Sequence, residues 1–101
     1  MRKFETLLLI SPELPAEARE AALTNLKGII EREQGVITEV DVWGMRDLAY
    51  PVQKQQRGFY VRLEYDAPAE LIAEFERHIR LTEGVLKFIT VKLADEDEGG
   101  L

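Results

Sequence analysis

Val36-Ile37-Thr38-Glu39-Val40-Asp41-Val42 and Phe59-Tyr60-Val61-Arg62-Leu63-Glu64-Tyr65 are two β-type runs flanking a stretch with Gly44, Pro51 and Gly58. A period of two sends alternate side chains to opposite faces. In the second run Phe59, Val61, Leu63 and Tyr65 therefore share an inward face, and Tyr60, Arg62 and Glu64 point outward. The two runs read as a long antiparallel hairpin. Its first strand continues through Trp43-Gly44-Met45-Arg46 to Leu48-Ala49-Tyr50-Pro51-Val52, and residues 54–58 form a polar connector. Gly44 marks a bulge or bend, and Pro51 confines its end to an edge or to a segment leaving the sheet.

On either side of the hairpin the chain repeats one pattern. Residues 2–10 alternate as a strand with Phe4, Thr6, Leu8 and Ile10 on one face, and Leu7 and Leu9 on the other. Pro15 opens a helix over about 15–33, with Ala18, Ala22, Leu26, Ile29 and Ile30 recurring at helical spacing beside Leu23 and with Gly35 as its stop. After the hairpin, Ala67-Pro68 opens a second helix to about Leu81, whose core face is Leu71, Ile72, Phe75 and Ile79. Gly84 ends it, and residues 85–93 form a last strand.

Strand, helix, strand, strand, helix, strand with right-handed crossovers gives an α+β βαββαβ domain over residues 1–93. It is a four-stranded antiparallel sheet with both helices on one face. The other face is left bare, with Leu7, Leu9, Ile89 and Val91 clustered on it as a contact surface. Residues 94–101 carry four acids and no base, and are expected to be a disordered tail.

The chain has 101 residues, enough for one core, and no cysteine, which excludes disulfides and thiolate chemistry. Its longest apolar run near the start, Leu7-Leu8-Leu9-Ile10, is too short for a membrane span, so no membrane partner is expected. The net charge of −6 is uneven. Without the tail, 15 of the 19 acids face 13 bases, and within 46–62 Arg46, Lys54, Arg57 and Arg62 face only Asp47. Screening limits exposed charges to a reach of about 8–10 Å, so a local basic patch acts despite the negative total.

Catalytic signals are lacking. His78 has Glu74 one turn back, a spacing that is equally an ordinary helix-surface pair. The tail acids lack the alternating ligands and turn glycine of a calcium loop. No phosphate-binding glycine pattern occurs, and no cofactor or small-molecule substrate is indicated. What stands out is residues 44–54 completed by Gly58-Phe59-Tyr60: cations, a tyrosine and a rigid proline on a projecting segment. Guanidinium and ammonium groups suit phosphates, and an exposed tyrosine stacks on an unpaired base. The plain alternative is a hairpin with buried Tyr50 and solvated charges. A small enzyme of the same fold, or an adaptor using the apolar sheet face, also remains open.

The run Trp43-Gly44-x-Arg46-x-Leu48-Ala49-Tyr50-Pro51-Val52-x-Lys54, with Gly58-Phe59-Tyr60, resembles the signature of ribosomal protein six of the bacterial small subunit. The likeness extends to Met1-Arg2-Lys3-Phe4-Glu5, Arg80-Leu81 and Val85-Leu86-Lys87-Phe88. It implies a ferredoxin-like fold, a cytoplasmic, ribosome-associated structural role and binding to 16S ribosomal RNA in the platform, together with ribosomal protein eighteen during assembly. RNA-binding positions carried over are Arg2, Lys3, Arg46, Lys54, Arg80, Lys87 and Lys92, to which stacking adds Tyr50. Two positions depart from the family pattern: Asp47 stands where a base is common, and Lys87 where arginine is frequent, which loses the bidentate fork. Truncation before Asp95 is expected to leave the melting temperature unchanged; a fall of several degrees would show that the tail packs.

Overall fold

The structure, a computed structural model, describes residues 1–95. Its elements are β1 (Arg2–Ile10), α1 (Ala16–Arg32), β2 (Val36–Val52), β3 (Gln55–Ala67), α2 (Leu71–Leu81) and β4 (Val85–Asp95). They form one antiparallel sheet in the order β2-β3-β1-β4. The βαββαβ reading holds. The last strand pairs as far as Asp95, opposite Arg2. The rest of the expected tail, residues 96–101, lies outside the described residues.

β1 is central and its alternation organises the core. Phe4, Leu8 and Ile10 lie in one cluster with Val61, Leu63 and Tyr65 of β3, Leu23, Leu26, Ile29 and Ile30 of α1, and Leu71, Phe75 and Ile79 of α2. Both helices therefore cover the same face. Among the described residues no helix is long and apolar enough to cross a membrane.

The α1 stripe differs from the expected one. Ala18 is exposed, and Arg19 takes the inward row ahead of Leu23, Leu26 and Ile30, its guanidinium carbon 3.7 Å from the Phe59 ring centroid. A cation over an aromatic face replaces an apolar contact at this end of the helix. The stop of α1 also works differently. Gln34, not Gly35, has the left-handed backbone (φ 69°), with Gln34 N–H donating to Glu31 O (3.1 Å) and Gly35 N–H to Ile30 O (2.9 Å). This is a Schellman closure. Gly35 is required for space, since a Cβ there would stand 2.6 Å from Ile30 Cγ2.

One polar group sits deep in the core. Thr6 is fully buried at the middle of β1, with its hydroxyl 2.8 Å from the Tyr65 hydroxyl and 2.9 Å from Thr90 Oγ1. The chain joins three adjacent strands and leaves no hydroxyl in it unpaired, as a buried polar group requires. Tyr65 also packs on Phe4 and Phe75 at ring-centroid distances of 5.9 and 5.5 Å.

Removing one end of this chain should cost less than removing its middle. Tyr65→Phe leaves Thr6 bonded to Thr90 and should cost about 1 kcal/mol; Thr6→Val strands the Tyr65 hydroxyl and should cost about 1–3 kcal/mol. Denaturant titration checks the ranking. Burial pushes the Tyr65 phenol up to about 12. The stability from keeping it neutral is thus complete below the ordinary phenol value of about 10 and lost as pH rises from there towards 12. Tyr65→Phe should remove that part of the alkaline loss, and an identical pH profile for the variant would refute the assignment.

Candidate nucleic-acid interface

β2 and β3 continue past the end of β1, where Ile10 pairs Phe59, and form an arm that closes in a two-residue turn. Gln53 and Lys54 both have positive φ (48° and 67°), the pattern of a type I′ turn, whose twist suits a hairpin. The expected polar connector is therefore β3 strand from Gln55. The turn was not legible because neither residue is the glycine or asparagine that usually marks it.

The arm is strongly bulged. Between the pairs Asp47↔Arg57 and Val52↔Gln55, residues 48–51 of β2 lie opposite the single residue Gln56. The surplus bends the strand and turns Tyr50, 62% exposed, back towards β4. Bulges also occur between Val42 and Gly44, where Gly44 has φ 87° as its predicted bend requires, and between Lys87 and Val85. The last leaves Leu86 without a partner in β1, and its carbonyl accepts a hydrogen bond from Gln53 Nε2 (2.9 Å). On the other side of the turn, Gln55 Nε2 donates to Glu13 Oε1 (2.7 Å). The arm is tied down at its tip.

This folding sorts the predicted residues into two groups. Tyr50, Arg80 and Lys87 come together where the arm meets β4, with Lys54 in the turn at the arm's tip and Arg46 at its base. The Lys87 ammonium is 5.9 Å from the Tyr50 ring centroid, and the Arg80 guanidinium is 5.4 Å from that of Phe88. A groove lined by Gln53, Arg80, Leu86, Lys87 and Phe88 runs beside them. Arg46 lies 5.3 Å from the Trp43 ring, which in turn packs on Tyr60. Arg2, Lys3 and Lys92 stand at the opposite end of β1 and β4, about 24 Å away at the usual strand rise. Lys3 is engaged there by Asp66 (3.3 Å) and Glu64 (3.9 Å).

Electrostatics separates the two ends further. Two of the four cations in 46–62 are paired within the chain. Arg57 Nε donates to Asp47 Oδ1 at 3.0 Å, so Asp47 offsets a neighbouring cation. Arg62 contacts Glu39 (2.8 Å), Glu64 (2.9 Å) and Glu5 (3.1 Å) on the open face. Glu64 and then Glu5 hold its guanidinium above the ordinary arginine value, and Arg62 in turn holds Glu64 below the usual carboxylate range. Together with Asp66, these acids make the lower half of the open face negative. His78, 3.0 Å from Glu74, shares that carboxylate with Arg77 in a surface helix pair. Arg77 is the main cause of the depressed Glu74 value.

The bare sheet face is only partly bare. Ile89 and Val91 are 52% and 47% exposed, but Leu9 is buried at 4%. Its Cδ1 occupies the space above Gly58, 2.2 Å from where a Cβ would stand. Leu7, Leu9, Tyr50, Tyr60, Lys87, Phe88 and Ile89 enclose a cavity of about 210 Å³ between arm and sheet. Tyr60 was not among the predicted contacts. Its outward position opposite Leu9 was the available signal.

The family model for Ribosomal protein S6 matches residues 3–92. Small ribosomal subunit protein bS6 of Desulfovibrio desulfuricans is 69% identical over 99 residues, covering 98% of this chain and 97% of the relative. That of Clostridium novyi is 46% identical over 91 residues, 90% and 96% of the two chains. The crystal structure of 30S ribosomal protein S6 from Thermotoga maritima superposes with a TM-score of 0.87 at 30% identity, covering 91% of this chain and 87% of that one. The chain belongs to the ribosomal protein S6 family, and so is a structural constituent of the small ribosomal subunit and not an enzyme.

Proposed function

We propose that this protein holds 16S ribosomal RNA in the platform of the small subunit, and does so jointly with ribosomal protein eighteen. The observation that supports the RNA side is the meeting of Tyr50, Arg80 and Lys87 at one end of the sheet, with Lys54 in the arm's turn and Arg46 at the base of the same arm. Arg57, Arg62 and Lys3 are meanwhile paired within the chain at 2.8–3.3 Å, whereas Arg80, among the described residues, keeps only a 4.0 Å contact to Glu76. Phosphate contacts fix orientation without reading sequence, which is what a structural protein of a folded RNA needs. Arg2 and Lys92 form a second, smaller set at the far end.

The partner side rests on the lower open face. Ile89 and Val91 are exposed there next to Glu5, Glu64 and Asp66. Apolar contact with a negative surround suits a basic protein. Such a partner supplies phosphate affinity that a chain of net charge −6 lacks. Binding of the pair is then cooperative, and binding by this chain alone is weak.

Two measurements test this. Lys54→Ala and Arg80→Ala should each lower the salt slope of RNA binding by the pair by about one released counterion, with little change in stability. An unchanged slope would show that these side chains face solvent. Titration of a platform RNA fragment with this chain should show markedly tighter binding once the partner is added; equal affinities with and without it would refute joint binding.

A further inference from the structure

The cavity between arm and sheet is not explained by phosphate contacts. Its floor is Leu7, Leu9 and Ile89, its walls are the rings of Tyr50 and Tyr60, and its rim carries Lys87. Among the described residues, no acidic one lines it. We propose that this notch receives one unpaired nucleobase of the bound RNA, stacked on Tyr50 with its adjoining phosphate on Lys87. The proposal deepens the RNA reading above and rests on it.

Three features select this occupant. The notch is flat-walled and apolar but opens beside cations, and a nucleotide brings an aromatic plane and an anion in one unit. Charge complementarity argues against a side chain of a basic protein, which would bring positive charge to a positive rim. The fold also holds the notch open in advance. Residues 48–51 bulge against Gln56 to turn Tyr50 over the sheet, and the Gln53 bond to Leu86 O anchors the strand just beyond it. Leu9 seats in the space that Gly58 leaves, which keeps the floor low beneath Tyr60. A site held in shape before binding avoids the cost of ordering it. Lys87 already lies over the Tyr50 ring; an entering base takes its place there, and the ammonium turns to the phosphate.

The test uses the isotope-labelled full-length chain and two single-stranded probes of equal length, octauridylate and its abasic ribose-phosphate counterpart. NMR titration reads weak binding directly. Octauridylate should shift the ring signals of Tyr50 and Tyr60 and the methyls of Leu9 and Ile89, and should bind about tenfold more tightly than the abasic strand. Tyr50→Ala should abolish that difference, Tyr50→Phe should keep it, and Lys54→Ala should weaken both strands alike. Equal binding of the two strands by the unaltered chain would overturn the notch while leaving phosphate binding by the arm intact. If neither strand shifts the arm or β4, the notch falls, while the RNA reading stands or falls separately on the titration of the pair. Should a basic, apolar peptide fill the notch while octauridylate does not, the site is a protein-docking pocket and the proposal is wrong.

Discussion

Everything in this molecule is hung on β1. It pairs along nearly its whole length with β3 on one side and β4 on the other, so its backbone is satisfied by strands far away in sequence. Its alternation then decides both faces at once. Phe4, Leu8 and Ile10 meet the helices, while Glu5, Leu7 and Leu9 define the open side. A slip of one residue would exchange the two sets. Thr6 guards against that slip, because its hydroxyl finds partners only when Tyr65 and Thr90 stand on either side. The buried hydroxyl chain is best understood as a device for pairing uniqueness, with apolar burial supplying most of the stability.

The sequence made the sheet legible because period-two and period-3.6 patterns depend only on which side of an element is dry. Strands, helices and the core face of α2 followed from that, and a glycine inside a strand run marked the bulge at Gly44. What it hid was decided by neighbours. Arg19 looks like a surface residue until Phe59 is placed beneath it. The positive φ at Gln34, Gln53 and Lys54 is carried by residues that give no warning of it. Leu9 reads as exposed, yet the dip over Gly58 and the overhanging arm enclose it.

The candidate contact residues divide along the same line. The Leu48-Ala49-Tyr50-Pro51 run pointed to the arm, and Arg80 and Lys87 were found by resemblance, but only the fold brings them to one place. Counting charge along the chain put the positive field in 46–62. In space that field is halved, as Arg57 and Arg62 turn to Asp47 and to three glutamates. It is rebuilt from Arg80 and Lys87, 18 and 25 residues downstream of Arg62. Linear charge density is a poor guide wherever carboxylates can fold back onto their neighbours.

The outer strands carry one further consequence. β2 and β4 are each interrupted by two or more irregularities in pairing, so neither rim of the sheet runs straight for long. Straight, unbroken rims are what let β-proteins add to one another strand by strand. A subunit component made separately from its RNA passes time unassembled in a crowded cell. The kinks that aim Tyr50 and free the Leu86 carbonyl thus also make both rims poor templates for an added strand.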